Sequence, residues 1–165
     1  MKTRRVSLGV GVAAIVATIL VVAIGAQSGF AQADSLLGTW VLNLAKSKYT
    51  PGPPPKEQTT IFEAAGQGLK VTTKGTNSAG QPTMTEYTAN YDGKDYPVTG
   101  NPDWDTVSLK RINANTVEFT RKRAGKVVQT ATGVVSKDGK TRTITSTGVN
   151  AQGEKIHNIG VYDKK

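Results

Sequence analysis

From Asp34 to Lys165 the sequence breaks every few residues at Gly, Asn, Asp or Pro, and no long stretch between the breaks carries a helical period. Runs this short bury apolar surface only by pairing with one another, which restricts the chain to strands. Thr, Val, Tyr and Ile fill the runs and mark ten strands near 38–44, 59–65, 69–75, 83–91, 95–99, 106–112, 116–123, 127–136, 141–149 and 155–163. Between them stand residues that tolerate positive φ in tight hairpins, among them Asn77-Ser78-Ala79-Gly80, Asp92-Gly93, Ala124-Gly125, Asp138-Gly139 and Gln152-Gly153. Sequence neighbours then pair as antiparallel hairpins with no long crossover. The expected fold is all-β, a single antiparallel up-and-down β-barrel of about eight to ten strands. Two stretches echo each other, "TTKGTNSAGQ" from Thr72 and "TSTGVNAQGE" from Thr145. Repeated hairpin chemistry explains the echo more simply than duplication of a half-barrel.

The segment ahead of Asp34 is of a different kind. "MKTRR" is followed by a charge-free run from Val6 to Ala33 that ends in Ala31-Gln32-Ala33, the layout of a secretory signal. Residues 1–33 are therefore expected to be a signal peptide cleaved after Ala33, or alternatively a membrane anchor, since Val6 to Ala26 is long enough to cross a bilayer. Residues 34–165 form the barrel domain. Its expected location is outside the cytoplasm, periplasmic or secreted.

The whole chain has 21 Lys and Arg against 12 Asp and Glu; without Lys2, Arg4 and Arg5 the remainder keeps a net charge of about +6. The lysines are dispersed among threonines and turns and form no periodic basic face, so nucleic acid is not an expected partner. Membrane contact is expected only through the leader or through weak attraction of the basic surface. The chain has no cysteine, which excludes disulfides, thiolate metal sites and thiol nucleophiles. A domain of this size can bury a core without staples, and a monomer is expected.

Strand alternation separates two faces. Tyr87, Ala89 and Tyr91 share one; Val117 and Phe119 share theirs with Arg121 and Arg123; Val107 and Leu109 share theirs with Arg111. An arginine on an apolar face either waits in a cavity for an anion or lays its stem on the core and sends its head to water. Large apolar side chains are few, which suits a partly polar cavity or a small filled barrel.

Motifs of catalysis are missing. No G-x-S-x-G, H-E-x-x-H, P-loop or G-x-G-x-x-G occurs. His157 is the only histidine and has no second ligand at metal or haem spacing. The acid pairs Asp92/Asp95 and Asp103/Asp105 sit in turns, where Asp bonds its own backbone. No enzymatic activity and no cofactor are expected.

The ends of the domain carry a family resemblance. "GTW" at Gly38-Thr39-Trp40 resembles the G-x-W opening of lipocalins, and "GTWVLNLAKS" resembles the first strand of intracellular fatty-acid-binding barrels. The closing "IGVYDKK" is similar to the last strand of those barrels, which often reads Thr-Arg-Val-Tyr-Glu-Lys. "LNLAKSKYTPGPPP" and "YDGKDYPVTGNPDWDTVSLKRINANTVE" look like a group of exported bacterial lipocalin-like proteins of unassigned activity. The resemblance implies a calycin-type barrel plugged at one end by Trp40, and a small hydrophobic or amphipathic ligand. An envelope interaction module with a filled barrel is the alternative. In fatty-acid-binding barrels an Arg and a Tyr two residues apart on the last strand grip the lipid carboxylate; Tyr162 matches the Tyr, but Gly160 stands at the Arg position, so that clamp is broken. Tyr87, Tyr91 and Tyr162 are then the candidate lining groups, with Arg111 or Arg121 as candidate anion anchors.

Those barrels follow their first strand with a helical lid, whereas here "AKSKYTPGPPPKEQ" takes that place. Its four prolines fix φ and remove amide donors, so residues 45–58 are expected to run extended as a strap across the barrel, with Tyr49 packed at the rim.

Overall fold

The structure is a computed structural model that describes residues 34–150 and 152–165; the leader expected over 1–33 lies outside the described residues. Eleven strands follow one another: β1 Gly38–Leu42, β2 Lys48–Thr50, β3 Glu57–Ala65, β4 Gly68–Thr76, β5 Pro82–Asn90, β6 Tyr96–Thr99, β7 Thr106–Asn113, β8 Thr116–Arg123, β9 Lys126–Val135, β10 Thr141–Val149 and β11 Lys155–Lys164. From β3 to β11 each strand pairs antiparallel with the next, and β1 pairs with β3 on one side and β11 on the other. The ring is therefore a closed antiparallel barrel of ten strands, with β2 added on β11.

β1 and β2 are two halves of one line. Trp40 stands opposite Lys164 and Leu42 opposite Tyr162, while further along β11 Lys48 stands opposite Ile159 and Thr50 opposite His157. A single 3₁₀ turn over Leu44–Lys46 interrupts them. Asn43 holds that turn, its side chain accepting from the Lys46 amide and donating to Asp163 at 2.7 Å. The Ser47 hydroxyl donates to the Asn43 carbonyl at 2.7 Å and accepts from the Val161 amide at 2.9 Å, which returns the chain to the sheet. Of the strap expected over 45–58, then, the first part belongs to the sheet, the prolines form the crossing, and Glu57 already begins β3.

The echoing stretches are the β4–β5 and β10–β11 hairpins. In each an Asn closes the turn in the same way, its side-chain oxygen accepting from the amide four residues on, Gln81 or Glu154, at 2.9 Å. Both turns lie at one end of the barrel, which we call the mouth, together with the prolines and the 100–105 loop. The other end, the floor, holds the N-terminal residues and the turns after β3, β5, β7 and β9.

Inward residues change character between the two ends. Read from floor to mouth, β4 presents Leu69, Val71 and Thr73, β5 presents Ala89, Tyr87 and Thr85, and β10 presents Arg142, Ile144 and Ser146. Bulk therefore fills the floor, where Leu36, Trp40, Leu69, Leu109 and Val117 are almost wholly buried. Trp40 is the plug: its ring is fully buried, its Nε1–H donates to the Leu36 carbonyl at 2.7 Å, and the Lys164 ammonium lies 5.0 Å from the ring centroid. That lysine caps the tryptophan in a cation–π contact.

Because the indole is both packing and a hydrogen-bond donor, Trp40→Ala should lower the unfolding free energy by about 3–5 kcal/mol. Trp40→Phe keeps most of the packing and should lose only about 1–3 kcal/mol, chiefly from the stranded Leu36 carbonyl. Urea melts of the two variants measure the difference.

Candidate ligand-binding site

Where the inward residues turn small and polar, the barrel is hollow. A cavity of about 390 Å³ lies between Phe62, Val71, Phe119 and Tyr162 toward the floor and Thr85, Trp104 and Asn158 toward the mouth. It opens into an outer hollow of about 650 Å³ bordered by the proline segment Pro51–Pro53, the 77–78 turn, Asp103, Trp104 and the 149–154 hairpin. Tyr49, Asn77, Asp103, Trp104, Gln129 and Asn158 border both, so mouth and interior are continuous. A separate hollow of about 710 Å³ at the mouth ends of β3, β4 and β5 contains no buried charge and no aromatic side chain.

Two arginines dominate the interior. Arg142, the second residue of β10, is only 3% exposed, and its guanidinium carbon lies 4.5 Å from the Phe62 ring centroid, 5.7 Å from Phe119 and 5.9 Å from Tyr162. Gly133 on β9 makes room for it: a Cβ there would stand 3.0 Å from the Phe119 ring and 3.5 Å from the Arg142 fork. Arg121, an inward residue of β8, lies 5.0 Å from the Trp104 centroid and donates to the Gln129 side chain. Tyr87 meets the edge of Trp104 with centroids 6.2 Å apart. The Nε–H of both arginines is buried without a hydrogen-bond partner.

Neither arginine has an acid. Among the described residues the ion pairs are Lys46–Asp163, Lys94–Asp92, Arg111–Asp34 and Lys122–Asp95. Burial pulls both guanidinium groups below their ordinary range, Arg142 to about 10, while Tyr162 and Tyr87 pull the other way. The Arg121 charge adds to the depression of Arg142. Burial likewise raises the phenols of Tyr87 and Tyr162, and of Tyr49 with a further push from Tyr162. Such a site is positive and short of acceptors, a setting in which an oxyanion gains from a guanidinium fork.

The five residues expected to contact a ligand fall into two groups. Tyr87, Arg121 and Tyr162 border the cavity. Tyr91 and Arg111 lie toward the floor, joined to Asp34: its carboxylate accepts from the Tyr91 hydroxyl, the Arg111 guanidinium and the Leu36 amide. Arg111 also lies over the Tyr91 ring, 3.9 Å from its centroid. Its charge is thus matched within the chain. Tyr49, expected at the rim, stands on β2 opposite Asn158 and borders the cavity.

Sequence reading passed over Arg142 and Trp104. Arg142 carried the signal that marked Arg121, an arginine alternating with an apolar residue, here Ile144. Trp104 lies in a turn, where no alternation says which way a side chain points. The position where a fatty-acid-binding barrel carries its arginine is Gly160, and the structure uses that space otherwise: a Cβ there would meet the Tyr162 ring at 3.0 Å and the Tyr49 hydroxyl at 3.5 Å.

No protein-family model matches the chain, and no curated protein matches it. Among solved structures the barrel is similar to zebrafish ileal bile acid-binding protein complexed with cholic acid, with a TM-score of 0.50 and 15% identity over 79% of this chain and 99% of that one. At that identity the likeness bears on the fold alone.

A buried, unpaired guanidinium is a stability cost, so Arg142→Met should leave the unfolding free energy unchanged or raise it by about 1–3 kcal/mol while removing the interior charge. Urea denaturation tests the sign. The four phenols raised by burial, Tyr49, Tyr87, Tyr91 and Tyr162, keep their protons in the folded state at a pH where the unfolded chain has lost them. Folding then binds protons, and their contribution to stability is lost as pH rises above about 10. In an alkaline titration their tyrosinate absorbance should appear in one step coincident with loss of the far-ultraviolet strand signal.

Proposed function

We propose that this protein is a non-enzymatic, exported binding protein that holds a small amphipathic organic anion inside its barrel. The observation that carries the reading is a pair of arginines, Arg142 buried and Arg121 half-buried, facing one cavity with no ion-pair partner among the described residues. A buried charge without a partner is costly, and natural chains keep such costs where function needs them. The apolar part of the ligand would lie against Phe62, Phe119 and Trp104, and its charged end against the guanidinium groups. The cavity of about 390 Å³ sits near the lower end of the roughly 300–1,000 Å³ range of ligand pockets, which favours a compact molecule over a long flexible chain. Entry would be through the mouth between the proline segment and Trp104, with no helical lid to move.

Quenching of Trp104 fluorescence, with Trp40 as the buried reference, reports occupancy directly. Naphthalene and phenyl carboxylates and sulfonates should bind, while their neutral amides bind at least tenfold more weakly, a difference of about 1.4 kcal/mol. Arg142→Met should remove that preference. Equal affinity for neutral and anionic partners would overturn the reading. For export, the protein recovered from outside the cytoplasm should begin at Asp34 on N-terminal sequencing; recovery of the unprocessed chain from the cytoplasm would refute that part.

A further inference from the structure

We infer that the ligand carries two negative charges, in one doubly charged head group or in two acidic groups on a compact body. The inference rests on the reading of the barrel as an anion binder and narrows it.

Charge balance is the first support. Elsewhere the chain supplies an acid to a cation held against the barrel: Asp34 to Arg111 and Asp95 to Lys122. In the cavity it supplies none to either of two cations. Asp103 is the one carboxylate among the residues that border the cavity, and it is exposed at the mouth. A singly charged ligand would leave one of the two guanidinium groups uncompensated once the bound molecule displaces water from the cavity, and that residual charge would disfavour the bound state. A doubly charged ligand cancels both.

Hydrogen-bond supply is the second. Each guanidinium has five N–H donors in a fixed fork. Arg121 gives one to Gln129, Arg142 is faced mostly by rings, and the Nε–H of each has no acceptor. One carboxylate accepts fully from one fork. Two forks call for the acceptor capacity of a phosphate monoester or of two carboxylates.

The ionisable side chains around the cavity are Arg121, Arg142, Tyr49, Tyr87, Tyr162 and Asp103, with Tyr91, Arg111 and Asp34 toward the floor. A control ligand of constant charge registers any titration among them. The probes are therefore 1-naphthyl phosphate, whose second ionisation falls near pH ~6, and 1-naphthyl sulfate, singly charged throughout. Between pH 5 and 8, phosphate affinity should rise about tenfold relative to the sulfate. A naphthalene dicarboxylate compared with the monocarboxylate at pH 8 tests separated charges. A gain for the phosphate assigns one shared head group, and a gain for the dicarboxylate alone assigns two separate groups; either supports two charges. Arg121→Gln should weaken both probes and erase the gain of the doubly charged one over the sulfate, and Arg121→Lys should restore part of that gain, which separates loss of charge from loss of fold. If both singly charged probes bind as tightly as their doubly charged counterparts at pH 8, the inference is overturned and the barrel remains a binder of single anions. If none of the charged probes binds, the reading of the barrel as an anion binder falls as well.

Discussion

Closure of the ring at β1 is the constraint on which the remaining structure depends. Five residues, Gly38–Leu42, satisfy backbone groups on both β3 and β11, and without them the meander would end in two open edges. The same strand delivers Trp40 to the floor, so closing the sheet and plugging one end are a single event. Everything toward the mouth is then free to be narrow, polar or hollow, because the core that holds the ring together sits at the other end.

That division explains how one barrel can be both stable and empty. Leu69, Leu109 and Val117 fill the floor at nearly complete burial. Threonine and serine at Thr60, Thr73, Thr85 and Ser146 take over above them, too small to meet across the axis. The arginines stand along this gradient. Arg142 reaches into the cavity from the last turn of the core, between two phenylalanine rings, and Arg121 lies nearer the mouth beneath Trp104. Neither charge is near water enough to be indifferent to what occupies the space between them.

Most of this was legible in period-two alternation. The runs around Tyr87, Val107 and Phe119 announced the strands and separated their two faces, while which face is inward came from the structure. Arg121 was legible for the same reason. What alternation cannot convey is partnership. Nothing in the sequence says that Asp34 folds back to neutralise Arg111, or that no acid reaches Arg121. Those facts depend on which ends of distant strands meet. The break in β1 was hidden too, since Asn43 and Ser47 act through bonds to Asp163 and Val161 at the opposite end of the chain.

The course of the chain after β1 and the placing of positive charge in the cavity are linked. Where a fatty-acid-binding barrel inserts helices after its first strand, this chain makes one 3₁₀ turn and lets β2 continue along β11. That continuation brings Tyr49 over the last strand, beside Tyr162, and the two phenols occupy the space above Gly160. An arginine at that position would have to displace both. The cavity's arginines stand on other walls, and β9 makes room for one by carrying Gly133 beneath Phe119, where the Arg142 guanidinium fits. A chain without the helical lid thus places its positive charge on β8 and β10, facing a mouth framed by prolines. Because the two cations come from separate strands, two forks of donors face the cavity, that of Arg121 with one donor already given to Gln129.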